Sequence, residues 1–238
     1  MTREALPVAL LALVRRNRRR YGGYIVHVGI AVLLVGVAAS SAFQHARDVR
    51  LAPGQTAVVN GYSIHYVRAT SHLAAEKITF GAVLDVSKGG RHVTTLRPSR
   101  GYYPSLDQRD LGVVGRFFDG DSTSEVGLRA GLRRDIWTAV QPSLGGIQRF
   151  IATADRRFAN IGPQAIPLLV AAIAQRYQTH PGSANFRLIV SPMVTWIWLG
   201  GLILIVGAIV AIWPPPRTAP RRVSAAYRAR LEGELGHA

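Results

Sequence analysis

At 238 residues with no cysteine, the chain excludes disulfide bonding, thiol redox steps and cysteine ligation. Hydrophobic side chains make up 48% of it, and a mean hydropathy of +0.16 points to a membrane protein rather than a soluble one. A formal charge of +16 and a pI near 11.4 would suit a nucleic-acid binder, but no nucleic-acid motif accompanies the arginines, which crowd beside two apolar runs. Their placement follows membrane topology instead, and no nucleic-acid partner is expected.

Residues 1–23 form a basic segment that opens with an apolar run at 5–14, too short to span a bilayer. It suits an interfacial helix on the cytoplasmic face or the tail of a longer membrane region. Residues 24–43 carry no charged side chain over 20 residues, enough at about 1.5 Å per residue to cross a hydrocarbon core about 30 Å thick. A first transmembrane helix is predicted there. A signal peptide is the competing reading, since basic residues precede the run and residues 39–42 are small, but the run exceeds an ordinary signal core and contains a histidine.

That histidine, His27, is a polar group placed in hydrocarbon, and its lone pair and N–H both need partners. Gly22, Gly29 and Gly36 recur every seven residues on one helix face and would let a neighbouring helix approach closely. Gly23, His27, Ala31 and Ala38 share another face. The small residues one turn either side of His27 leave room for a flat macrocycle held through Nε2; the same spacing is also what the general abundance of Gly and Ala in membrane helices would produce.

Residues 44–191 are predicted to be an extracytoplasmic, β-rich domain. Asn60-Gly61 and Gly89-Gly90, each between strand-forming runs, predict two tight hairpins. Further strands are predicted at 124–129, 135–141 and 186–190, which together favour a small antiparallel barrel or sandwich. His65, His72 and His92 show no ligand spacing and are read as ordinary polar positions. Residues 142–181 change character. Ile147, Phe150, Ile151, Ala154 and Phe158 share one face of an amphipathic helix, and an apolar run at 161–174, marked by Pro163 and Pro167, suits packing on the membrane, on a partner or on the β domain.

Residues 192–213 form the second predicted transmembrane helix. Trp196 and Trp198 lie at its outer end and Gly200 and Gly201 offer close helix packing. Residues 214–238 are a basic tail with a possible short helix at 225–235. Arginine clusters flank both spans on the same side, so both termini are placed in the cytoplasm of a plasma (inner) membrane and the central domain in the periplasm. The fold class is a membrane α+β protein, two transmembrane helices flanking a β-rich domain with one or two additional amphipathic helices.

The strings NRRRYGGYIVHVG at 17–29 and SPMVTWIWLGG at 191–201, with LRPSRGYYP at 96–104 and TSEVGLRAGLRRDIWTAV at 123–140 between them, resemble the C-terminal portion of the CcmF family of cytochrome c-type biogenesis proteins, which are membrane haem lyases. Glu125 and Asp135 stand at matching places, and the resemblance covers about residues 15–213 with 142–181 as an insertion. It implies that His27, in its YGG-x-x-x-H context, is an axial ligand of a built-in haem b, with Gly23 and Ala31 beside the ring. The second axial histidine and the tryptophan-rich haem-handling loop belong to the family's N-terminal portion, and no such loop is visible in this sequence. The resemblance therefore implies the C-terminal half of a split protein, or a truncated reading, that is not catalytic alone. Its implied partners are the N-terminal portion, the haem chaperone, the apocytochrome-handling subunits and membrane lipids. The reaction served is thioether formation between haem vinyl groups and apocytochrome thiols. A membrane scaffold whose outer domain binds a partner without haem is the rival expectation; a sensor is disfavoured by the short tails.

Overall fold

The computed structural model describes residues 14, 17–74, 76–105, 115, 118, 121–157 and 166–214. Most of the apolar run at 5–14, Phe158 and the basic tail with its expected helix at 225–235 lie outside those residues. In chain order the elements are α1 (Arg18–Ala42), β1 (His45–Leu51), β2 (Thr56–Val59), β3 (Tyr62–Leu73), β4 (Ile78–Lys88), β5 (Arg91–Leu96), β6 (Ser99–Tyr102), β7 (Ser122–Glu125), β8 (Gly127–Arg129), β9 (Arg134–Gln141), α2 (Gly145–Arg157), α3 (Ile166–Thr179), β10 (Ala184–Pro192) and α4 (Val194–Ile212). Two compact units divide the chain. One comprises Met1–Ile30 with Leu202–Ala238, the other Ala31–Gly201.

The larger unit is built on two antiparallel sheets, one ordered β1-β10-β9-β8 and the other β2-β3-β4-β6-β7, with β5 also pairing β4. The hairpin chemistry sets the second sheet. Asn60 and Gly61 both take positive φ (45° and 74°), as do Gly89 and Gly90 (56° and 77°), the backbone that a two-residue turn matched to strand twist demands. Val59 therefore faces Tyr62, and Lys88 faces Arg91. A bulge between Tyr66 and Arg68 in β3 inserts one extra residue, Val67, so that Tyr66 and Ala69 both point inward although they are three apart.

Two strands pass from sheet to sheet and close the corners. β7 pairs β6, and after the single residue Val126 the chain continues as β8 against β9. Likewise β1 lies beside β10 while β2, four residues later, lies beside β3. The expected strands at 124–129, 135–141 and 186–190 are present with shifted ends, the first broken at Val126; β1 and β6 are additional.

The core is one contiguous cluster. Ile64, Tyr66, Ile78, Phe80, Leu84 and Val86 from one sheet meet Ile136, Phe186, Leu188 and Val190 from the other. The helices of the 142–181 section close it. Ile147, Ile151 and Ala154 of α2 and Ile166, Val170, Ile173, Ala174 and Tyr177 of α3 are buried. Pro167 sits in the first turn of α3, where a missing N–H costs nothing. Ser71 Oγ donates to the Ala174 carbonyl at 2.7 Å, and Gln178 Nε2 to the Ser71 carbonyl at 2.8 Å, so α3 is stitched to β3. Of the placements open to the 161–174 run, its described part from Ile166 onward takes burial on the β domain, and 161–165 lie outside the described residues. Phe150 is the outlier of the α2 face: it is half exposed, with Arg176 over its ring at 5.5 Å.

Among the described residues, α1 and α4 are the two helices long and apolar enough to cross a membrane, and only 11% of each apolar window is buried. α1 starts at Arg18, so three arginines of the basic cluster belong to its first turn.

Candidate functional site

α1 has two faces of opposite character. On one, Gly22, Gly29 and Gly36 are buried. In the smaller unit a Cβ at Gly22 would lie 2.6 Å from the Ala211 backbone nitrogen, and one at Gly207 would lie 2.6 Å from that of Val26. In the larger unit a Cβ at Gly36 would meet the Ile197 nitrogen at 2.9 Å. Glycine is required at all three because backbone meets backbone there. Arg18 reinforces the pairing: its Nη1 donates to the Trp213 carbonyl at 2.8 Å and also to that of Pro214, neutralising the carbonyl end of α4.

On the other face lies His27, exposed, with Nδ1 2.7 Å from the Gly23 carbonyl oxygen. A carbonyl only accepts, so Nδ1 carries the proton and the lone pair sits on Nε2. A Cβ at Gly23 would meet nothing within 4 Å, and Ala31 is exposed one turn further on. The face thus offers a single outward-directed nitrogen ligand with small residues on either side, and the larger Tyr24, Ile30 and Leu34 around them are exposed too. The donor chemistry and the open ground at Gly23 fit an axial imidazole of a haem. Among the described residues no group of three or more His, Cys, Asp or Glu is placed to hold a metal ion. His65 Nδ1 lies 3.0 Å from Thr56 Oγ1, an ordinary cross-strand pair.

The remaining positions singled out in the sequence separate. Gly200 is buried, but a Cβ at Gly201 would meet nothing within 4 Å, so Gly201 is not a point of close approach and Gly207 takes that part. Trp198 is 79% exposed, whereas Trp196 Nε1 donates to the Leu132 carbonyl at 2.9 Å. Glu125 pairs with Lys77 and accepts from Ser99 Oγ at 2.7 Å. Lys77, then Ser99, holds its carboxyl below the usual carboxylate range, and Glu125 raises Lys77 in return. The Asp135 carboxylate is buried and accepts the Gly131 N–H at 2.8 Å. Both acids hold strands and a loop in place.

One feature has no signal in the sequence periodicity. The loop between β8 and β9 is tied to the start of α4 by three bonds. Besides Trp196 to Leu132, Thr195 Oγ1 donates to the Gly131 carbonyl at 2.9 Å and the Met193 N–H to that of Arg133 at 3.2 Å. Met193 itself holds φ of 58°, rare for a residue with a side chain.

No family model matches the chain. It is 25% identical over 228 residues to the cytochrome c-type biogenesis protein CcmF of Pseudomonas aeruginosa, covering 95% of this chain and 26% of that protein. The resemblance is to CcmF. The cytochrome c-type biogenesis protein NrfE of Haemophilus influenzae is 25% identical over 194 residues, 82% of this chain and 23% of its own length. CcmF of Escherichia coli is 22% identical over 227 residues, 92% and 28% respectively. A solved cytochrome c haem lyase CcmF shares the fold, with a TM-score of 0.53 at 18% identity over 84% of this chain and 26% of that one. The chain therefore spans about a quarter of the length of the CcmF and NrfE proteins it matches, consistent with a C-terminal portion of CcmF.

Proposed function

We propose that this chain is a membrane-embedded part of a cytochrome c maturation haem lyase, and that His27 donates one axial ligand to a haem b. The observation that carries the reading is the His27 Nδ1–H bond to the Gly23 carbonyl at 2.7 Å, which fixes the tautomer and leaves the Nε2 lone pair free on an exposed side chain with open ground at Gly23. A carbonyl on the far nitrogen also makes the imidazole a better donor to a metal. Gly23 and Ala31 would leave space beside His27 for such a haem.

In this reading α1 and α4 cross the inner membrane with both termini in the cytoplasm, supported by the arginines that flank them, and the 44–191 domain lies in the periplasm. The second axial ligand comes from the N-terminal portion of the lyase, on another chain or another segment. That portion also carries the tryptophan-rich loop. The haem chaperone and the apocytochrome-handling subunits complete the assembly. Bound haem b would supply one-electron chemistry; this chain holds the ligand, sets its protonation and packs the helix beside it. It serves thioether formation on apocytochrome c without catalysing it alone.

The test is to co-express the chain with its N-terminal partner, purify the complex and record its optical spectrum. His27→Ala is expected to abolish or shift the Soret band. A band unaffected by that substitution overturns the ligand assignment, and normal cytochrome c maturation with His27→Asn favours the scaffold reading instead.

A further inference from the structure

A cluster of cations without a carboxylate partner among the described residues lies at the start of α4. Lys88, Arg129, Arg133 and Arg134 line a groove of about 480 Å³ together with Tyr62 and Leu132. None of the four cations is within ion-pair distance of a carboxylate among the described residues. Lys88 lies over the Tyr62 ring at 4.3 Å, and the nearest acid in the sequence, Asp135, is occupied by the Gly131 N–H. Four cations held together without a counter-charge repel one another, so an anion bound among them gains from all of them at once.

Two further observations identify the source of that anion. The three hydrogen bonds from Met193, Thr195 and Trp196 fix the Gly131–Arg133 backbone to the first turn of α4, so the groove sits at the depth where that helix begins. At the tip of the same loop, between the arginines, Leu132 is an apolar side chain 72% exposed. A free anion has no use for that leucine. An amphiphile has: its headgroup meets the cations while its chains take up Leu132.

We propose that this groove binds the headgroup of an anionic phospholipid in the leaflet where α4 begins, the arginines taking the phosphodiester and Leu132 entering the acyl region. The inference rests on the reading of α4 as a membrane span, and not on haem binding. Its role is to fix the height and tilt of the β domain over the bilayer.

The test uses the full chain, purified in a neutral detergent and titrated with dioctanoyl phosphatidylglycerol, dioctanoyl phosphatidylcholine and inorganic phosphate while tryptophan fluorescence is followed. A saturable response to phosphatidylglycerol alone is expected. The double substitution Arg129→Gln with Arg133→Gln should weaken it about tenfold. Leu132→Ser, at an exposed site that leaves the thermal transition unchanged, should weaken it as well. An equal response to phosphate makes the site a free-anion site and overturns the lipid assignment; so does binding unchanged in the double variant, or no preference for phosphatidylglycerol. Carbonate extraction from phosphatidylcholine vesicles separates the groove from the membrane span. A chain that resists extraction but shows no preference sinks the groove alone, whereas a chain released by carbonate sinks the membrane reading first.

Discussion

At the scale of single residues, His27 and Gly23 act as one unit. The i−4 carbonyl lies under every helical side chain, and Gly23 adds no side chain of its own that would cover the ground beside the imidazole. Gly23→Leu is therefore expected to keep the helix, since its Cβ meets nothing within 4 Å, yet to fill the space assigned to the ring. The Soret band of the co-purified complex should fall while circular dichroism stays unchanged. A helical protein with a normal band would remove Gly23 from the site. A second residue-scale feature lies in the β domain, where the hydroxyls of Tyr66, Tyr102 and Tyr177 are buried without a hydrogen-bond partner among the described residues. Tyr66 and Tyr177 are close enough to perturb one another but do not meet at bonding geometry. Burial pushes all three hydroxyls above the usual tyrosine range, most strongly Tyr177, where the Tyr66 hydroxyl pushes the same way. A raised folded pKa means that their contribution to stability is intact below about pH 10 and lost as pH rises beyond it. Tyrosinate absorbance should show these rings ionising only with alkaline unfolding. Tyr177→Phe, which deletes an unpaired buried hydroxyl, should leave stability at or above that of the parent instead of costing the about 1–3 kcal/mol of an ordinary lost partner.

At the scale of elements, the seven-residue spacing of Gly22, Gly29 and Gly36 is readable in the sequence, and all three are buried. The same spacing on α4 joins Gly200 to Gly207, both buried, while a Cβ at Gly201 would meet nothing within 4 Å. Gly207→Leu should force the helices apart towards the about 8–10 Å of ordinary pairs. In this cysteine-free chain, spin labels at Tyr24→Cys and Ile209→Cys, both exposed, would report the lengthened distance; an unchanged distance would mean that the close approach is not needed. The Asn60-Gly61 and Gly89-Gly90 turns were equally legible, because few residue pairs accept two successive positive φ values. The site of α3 was not. An apolar run with prolines near its start has the same composition whether it lies on a membrane or on a sheet, and the choice was made by Ser71 and by the aromatic ring of Phe80, which meets Tyr177 at 4.6 Å between centroids. The β8–β9 loop was also hidden, since its bonds to α4 use backbone carbonyls that any sequence possesses. Met193 is the strained point of that junction. Met193→Gly should relieve about 1 kcal/mol, read as a raised thermal midpoint.

At the scale of the whole molecule, every described residue of the hydrophobic core falls between Leu51 and Val190. A fragment of residues 44–192 is expected to fold on its own, with dispersed amide resonances and a cooperative thermal transition; a disordered spectrum would show that the apolar helices contribute to its folding. The pairing of β1 with β10 brings His45 opposite Val190, so the strand that enters the domain and the strand that leaves it are immediate neighbours. For the chain on either side, the whole segment between these strands is thus equivalent to a tight turn. A relative could lengthen, shorten or replace the domain without rewiring the helices, and a designer could splice a reporter into the same seam, between Gln44 and Ser191, at the geometric cost of one hairpin.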